Sequence, residues 1–244
     1  MSGIGKEFME RTRFQYLGRS DQSQGYPAPS LQSGGKGDRT ISDLPDPAEI
    51  VVKELDLRRA IEKRTSIRSY SRKPLSLDEL SYLLWCTQGV KEVAGEIATF
   101  RTVPSAGARH ALETYLLVNN VEGLEKGLYQ FLPIGHKLEK VETGAHIAGR
   151  IMVACLQQSF VETSAVTFIW SAVPYRMKWR YGERGYRYMH LDAGHVCQNL
   201  YLSAESIGCG VCAIAAFQDE ELNSALGIDG EEEFAIYVAT VGKK

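Results

Sequence analysis

The sequence holds no apolar run approaching the roughly 18 residues that a membrane-spanning helix requires, so no membrane partner is expected. It also lacks an excess of either charge. Lys and Arg number 28 against 30 Asp and Glu, a formal net charge of -2, whereas a nucleic-acid binder needs a basic face to displace counterions from phosphates. The opening residues, MSGIGKEFMERTRFQYLGRS, contain no apolar stretch of signal-peptide length. Cysteines are few and odd in number, five, and without a secretion signal the expectation is reduced thiols in a cytoplasm. A second Cys-x-x-Cys pair is missing. Cys209 and Cys212 stand alone at that spacing with no ligand-spaced His pair, so they read as packing residues and no metal is expected. A Gly-x-Gly-x-x-Gly fingerprint and internal repeats are absent as well.

What is present is an ordinary globular composition, 44% hydrophobic and 24% charged, in a chain of 244 residues, long enough to bury a full core. Residues 20–47, SDQSQGYPAPSLQSGGKGDRTISDLPDP, are rich in Gly, Ser and Pro and nearly free of branched apolar side chains. Alone they cannot offset their ordering entropy by burial. Residues 1–49 therefore read as an extended arm, mobile or lying on another subunit, and 50–244 as the folded domain.

Periodicity predicts a short helix over Asp56–Lys63, an extended RTSIRSYSRKP, and a helix opened by the capping box Ser76-Leu77-Asp78-Glu79 and closed by Gly89. ETYLLVNNV and GLYQFLPI read as a hairpin of strands, His146–Phe160 as a helix, SAVTFIWSAV as a buried strand. Tyr188–Ile207 reads as a long helix, GVCAIAAF as a strand, Asp219–Leu226 as a helix and EFAIYVATVG as the last strand. Helices and strands of similar weight indicate an α+β or α/β sandwich.

Four segments could carry chemistry. In an extended KRTSIRSY, Arg64, Ser66 and Arg68 share one face, two guanidiniums about a hydroxyl, as a phosphate would want; a solvated basic face is the plainer alternative. In RTVPSAGARH, Pro104, Ser105, Ala106, Gly107 and Ala108 are small enough for backbone to approach a ligand, or form a simple loop. GCGVCAIAAF repeats that smallness at a helix-to-strand junction. On the long helix Asp192, His195 and Asn199 form a polar stripe, with a structural role favoured for His195. The crowd of Arg180, Tyr181, Arg184, Tyr186, Arg187 and Tyr188 before it suits a pocket wall or a subunit interface.

In this order the segments RTSIRSY, LSLDELSYLLWCTQGV, RTVPSAGARHALETYLLV, LDAGHVCQNLYLSAESIGCGVCAIAAF and YVATVG resemble the nitroreductase-like flavoproteins, and within them the SagB-type (thiazole/oxazole-forming dehydrogenase) branch. The resemblance covers about Leu55 to Gly242. It implies an α+β, three-layer fold, a central mainly antiparallel sheet flanked by helices, in a domain-swapped-style homodimer with FMN at the subunit interface. Carried over by position, Arg64, Thr65, Ser66 and Arg68 hold the FMN phosphate and ribityl chain. Pro104 to Ala108 lie along the isoalloxazine, and Ile214, Ala215 and Ala216 turn backbone N–H groups to its N5. The small residues of PSAGA are then small so that peptide groups can touch a flat ring.

The implied activity is an FMN-dependent, ping-pong transfer of hydride or electrons to or from a small organic substrate, with NAD(P)H as electron source. Pocket walls would come from Gly89–Phe100 and Pro174–Gly185. Two departures from the branch matter. Arg180-Tyr181 stands where azoline-oxidising relatives carry Lys-Tyr, and an arginine cannot serve as a base at neutral pH, although Lys178 lies two residues earlier. The chain also ends at Lys243-Lys244, where many relatives continue and supply a further cation to the phosphate; Lys243 is the candidate substitute. A heterocycle or peptide dehydrogenase within a modifying complex is the alternative enzyme, and a non-catalytic flavin- or partner-binding protein the alternative of another class.

Overall fold

A computed structural model describes residues 3–35, 39–144 and 146–244; residues 1–2 and 36–38 of the expected arm, and residue 145, lie outside the described residues. Eight helices, α1 (Ile4–Arg11), α2 (Leu57–Lys63), α3 (Leu77–Gln88), α4 (His146–Ala154), α5 (Phe160–Thr163), α6 (Pro174–Tyr181), α7 (Gly185–Ser206) and α8 (Asp219–Leu226), are formed among them. Nine strands accompany these: β1 (Ile41–Asp43), β2 (Val90–Ala94), β3 (Ala98–Arg101), β4 (Leu112–Val118), β5 (Gly127–Leu132), β6 (Lys137–Thr143), β7 (Val166–Ala172), β8 (Cys209–Ile214) and β9 (Phe234–Lys243).

Seven strands form one antiparallel sheet in the order β1-β6-β5-β4-β7-β9-β8, and β2 and β3 form a separate hairpin. Strand side chains alternate between faces, and both faces here are apolar. Leu112, Leu116, Val166, Phe168, Trp170 and Val241 face a core shared with α3 and α7. Tyr115, Leu117, Ile169 and Val238 face a second core with α4, α5 and α8. Two cores on one sheet make three layers. The fold is α+β with a central antiparallel sheet, as the resemblance implies.

Local rules explain most boundaries. Ser76 Oγ accepts from the Glu79 amide at 3.1 Å and the Glu79 carboxylate accepts from the Ser76 amide at 2.9 Å, the capping box read in the sequence. Asp56 caps α2 through the Arg59 amide at 3.1 Å. The helix expected over His146–Phe160 is interrupted, however. Leu156 and Gln157 have φ of 55° and 56°, and the Ala154 carbonyl accepts from the Gln218 amide at 2.8 Å instead of continuing the helix. A contact distant in sequence overrides local preference there. α7 begins three residues before Tyr188, at Gly185, where a side chain would meet the Met177 backbone at 3.1 Å.

The described part of the arm packs on its own chain. Its β1 pairs with β6, so the sheet starts before residue 50. Upstream, buried charges grip its backbone. Arg176 Nε donates to Ser30 O at 2.7 Å and Arg101 Nη2 to Leu31 O at 3.3 Å. Glu113 accepts from the Ser33 amide at 2.6 Å and Glu139 from the Gly35 amide at 3.0 Å. Arg176 and Glu113 are themselves a buried ion pair at 2.5 Å. Composition gave no sign of this, because the apolar and charged partners all belong to the domain.

Candidate functional site

Past α2 the chain runs extended along the outer strand of the sheet. Ser66 bridges to Val211 of β8 and the Ile67 amide donates to the Val211 carbonyl at 2.9 Å. Gly210 and Gly242, paired across β8 and β9, are the seats for this segment. A Cβ on Gly210 would lie 2.8 Å from Ile67 Cδ1, and one on Gly242 would lie 2.7 Å from Tyr70 Cγ. Within GCGVC the bareness of Gly210 therefore serves packing against Ile67, and Ala215 and Ala216 beyond Ile214 are exposed.

Tyr201 of α7 gathers this first group. Its Oη accepts from the Ala213 amide at 2.9 Å and stands 2.9 Å from Ser66 Oγ, while the Arg64 guanidinium lies 5.2 Å over its ring. Thr65, Ser66 and Arg68 are exposed. Arg68 makes its charge felt at the Cys212 thiol, whose pKa is raised by burial and partly lowered by that cation. Ile214 is buried in the second core, and β8 leaves the ladder after it, so Ala215 and Ala216 carry backbone amides outside the sheet pairing. Lys243 goes elsewhere. Its ammonium pairs with Glu79 at the start of α3 and donates to the Ile207 carbonyl at 3.2 Å.

The second group surrounds Pro104–Ala108. Ser105 Oγ accepts from the His110 amide at 2.9 Å, and Asp192 Oδ1 of α7 accepts from the Ala106 amide at 3.4 Å. Asp192 is 5% exposed, its Oδ2 has no partner, and desolvation raises its pKa against the opposing hydrogen bonds of Ser105 and Ala106. Gly107 has φ 60°, and a Cβ there would collide with Tyr181 Oη and reach 3.2 Å from Arg180 Cδ. The missing side chain of Gly107 thus makes room for Tyr181 of the same chain. Tyr181 packs edge-on to Tyr188 at 4.9 Å, with Arg180 Cζ 5.7 Å from its ring centroid. Lys178 is paired: its ammonium meets Glu183 at 2.9 Å, and that hydrogen bond raises its pKa.

The expected polar stripe on α7 divides. Asp192 is buried, His195 is exposed, and Asn199 donates to the Cys86 carbonyl at 2.9 Å. Cys209 and Cys212 are buried in different cores, with burial pushing Cys209 up to about 12. Alternation along β8 puts them on opposite faces.

The two groups do not meet within one chain. Asp192 and Tyr201 are nine residues apart on α7, about 13 Å along the axis and half a turn round it. Sequence reasoning singled out neither Tyr201 nor Arg109, and the hydroxyl-to-amide contact of Tyr201 has no sequence signature.

The profile of the nitroreductase family matches residues 61–243. A Methanocaldococcus jannaschii protein assigned as a nitroreductase is 36% identical over 208 residues, 85% of this chain and 98% of its own. The trifolitoxin-processing protein TfxB of Rhizobium leguminosarum bv. trifolii is 29% identical over 163 residues, and the match spans 64% of this chain and 44% of that one. Among solved structures, one from Anabaena variabilis, also assigned as a nitroreductase, is 31% identical with a TM-score of 0.66, covering 77% of this chain and 38% of that one. Two others share the fold alone. The E. coli microcin synthetase McbBCD complex with truncated pro-MccB17 has a TM-score of 0.63 at 19% identity, covering 99% and 92% of the two chains. The NADPH:FMN oxidoreductase of Vibrio harveyi with NAD+ has 0.53 at 14%, covering 77% and 68%. With three-quarters of its length inside the family profile, this chain is a member of the nitroreductase family, a family of oxidoreductases.

Proposed function

We propose that the chain is an FMN-dependent oxidoreductase that works as a homodimer on a small organic substrate, with NAD(P)H as electron source. The observation that carries this reading is the pair of half-sites on opposite faces of α7. Arg64, Ser66 and Arg68 beside exposed Ala215 and Ala216 are one half; the Pro104–Ala108 turn with Arg180 and Tyr181 is the other. A two-fold axis sets the first half of one copy against the second half of its partner.

FMN fits the first half. Among the described residues neither Arg64 nor Arg68 is in an ion pair, so both cations are free for a phosphate. Because Tyr201 Oη already accepts from the Ala213 amide, its proton is available to Ser66 Oγ, and the serine hydroxyl proton is free to point outward. Ala215 and Ala216 offer amides with only a methyl side chain to hold a planar ligand away. When bound, FMN supplies a hydride-accepting and hydride-donating centre, and fixed donors about its anionic edge stabilise the reduced form without reorganisation. The chain's own part is to hold, orient and screen. Asp192 fixes the Ala106 amide, Arg180 supplies a permanent positive charge, and Tyr181 offers a phenol proton to a substrate oxygen or nitrogen.

A second reading, dehydrogenation of a heterocycle in a peptide-modifying complex, draws on the trifolitoxin-processing relative and the microcin synthetase fold. It ranks second because that chemistry calls for a base, Arg180 cannot be one, and Lys178 is held charged by Glu183. The deciding experiment is the absorption spectrum of the purified protein, followed by anaerobic titration. A yellow protein that releases FMN on denaturation, bleaches with NAD(P)H and re-oxidises with a nitroarene or quinone supports the reading. A colourless protein that does not take up FMN removes it.

A further inference from the structure

Between Gly107 and His110 the backbone is held in a costly conformation. Gly107, Ala108 and His110 have φ of 60°, 53° and 42°. Non-glycine residues persist in that region only where their surroundings enforce it, and such positions concentrate at functional sites. What this turn presents is the side chain of Arg109, 2% exposed.

Its guanidinium is fixed by both expected pocket walls. Nη1 donates to the Ile97 carbonyl, between β2 and β3, at 2.7 Å, and Cζ lies 4.8 Å over the Trp179 ring of α6. Trp179 is in turn pinned by its indole N–H to the Tyr26 carbonyl of the arm at 3.0 Å. The remaining two nitrogens, Nε and Nη2, are buried without partners. They form one edge of the guanidinium, the edge that grips a two-oxygen acceptor side-on through parallel N–H···O bonds. Burying such donors unpaired costs their full desolvation. Among the described residues neither Arg109 nor Arg180 is in an ion pair, and the charged neighbours felt at Arg109 include Arg180 and Arg176. Arg180 and Tyr181 press on Gly107, two residues away.

We infer that Arg109 is the anion receptor of the substrate half-site and that the substrate is a small organic acid, whose carboxylate takes the Nε–Nη2 edge while Arg180 adds to the positive field. This rests on reading Gly107, Arg180 and Tyr181 as the substrate wall. A phosphate has the same oxyanion chemistry, and the test separates the two.

Calorimetric titration of the protein as purified compares benzoate, benzamide and inorganic phosphate. In parallel, chemically reduced protein is re-oxidised with 4-nitrobenzoate or 4-nitrobenzamide. Benzoate should bind where benzamide does not, and should raise Tm with concentration. Arg109→Gln should lower the preference for the carboxylate about ten- to a hundred-fold, the effect of one lost charged hydrogen-bonding partner, and Arg109→Lys should restore part of it. Equal binding of benzoate and benzamide overturns the inference, as does preference for phosphate. So does an Arg109→Gln variant that merely dissociates the dimer, since a carboxylate of the second copy would then be the true partner. If Arg109→Gln does not fold, the benzoate–benzamide contrast on the unaltered protein decides. A colourless protein that still selects benzoate sinks the flavin reading and keeps Arg109; a yellow one indifferent to benzoate does the reverse.

Discussion

Gly107 and Gly210 are both bare at Cα so that another side chain of the same protein can occupy the space, Tyr181 at one and Ile67 at the other. Gly107→Ala adds a left-handed backbone penalty of about 1–2 kcal/mol to that collision, so thermal unfolding should shift down. Tyr181→Phe in the same background should recover the collision part, because the phenol oxygen is what the new methyl meets. Gly210→Ala should cost about 1–3 kcal/mol by overpacking and, by lifting the Ile67 segment, loosen FMN. Arg64→Ala should weaken FMN retention by about 1.5–3 kcal/mol, measured by equilibrium dialysis, whereas Lys243→Ala should leave it unchanged, since that ammonium belongs to Glu79. At this scale the sequence showed which residues are small or cationic. It could not show what fills the space or pairs the charge, and so Arg109, identical in type to any solvated arginine, passed unnoticed between Ala108 and His110.

Elements with local signals were legible. The capping box of α3 is written in Ser76 and Glu79, and Ser76→Ala should lower stability by about 1 kcal/mol in denaturant unfolding. Strands β4 and β7 announced themselves as buried apolar runs. The break between α4 and α5 did not, because its cause is the Gln218 amide taking the Ala154 carbonyl. Leu156 and Gln157 sit there with positive φ, both exposed, so Gln157→Gly should stabilise by about 0.5–1 kcal/mol, the reverse of the usual effect of glycine. α7 matters most to function. Its rigid length holds the Tyr201 group and the Asp192 group about 13 Å apart on opposite faces.

Over the whole molecule, the arm and the buried charges stabilise one another. Removing residues 1–35 would strip hydrogen bonds from Arg101, Arg176, Glu113 and Glu139, each buried, at about 1.5–3 kcal/mol per charged bond. The truncated chain should be recovered unfolded or aggregated, as size-exclusion chromatography would show. Acid should act on the same region. Burial, then the Arg101 charge, lowers His110 to about 3, and burial lowers His136 to about 4, from an ordinary 6.5. Both folded values lie below the unfolded one, so the unfolded chain takes up protons first. Stability is complete above pH 6.5 and declines as pH falls toward 4, which Tm against pH would trace.

The sequence alone determined the layers, most helices and strands, the family, and the order of its motifs, because periodicity, caps and motif order are properties of neighbours in the chain. Only the tertiary structure decided that the arm is part of the sheet, that Lys178 and Lys243 pair with carboxylates, that Gly107 yields to Tyr181, and that two nitrogens of Arg109 are buried without partners. Each of those depends on which distant group fills a space or satisfies a charge, and such pairings exist only once the chain has closed on itself.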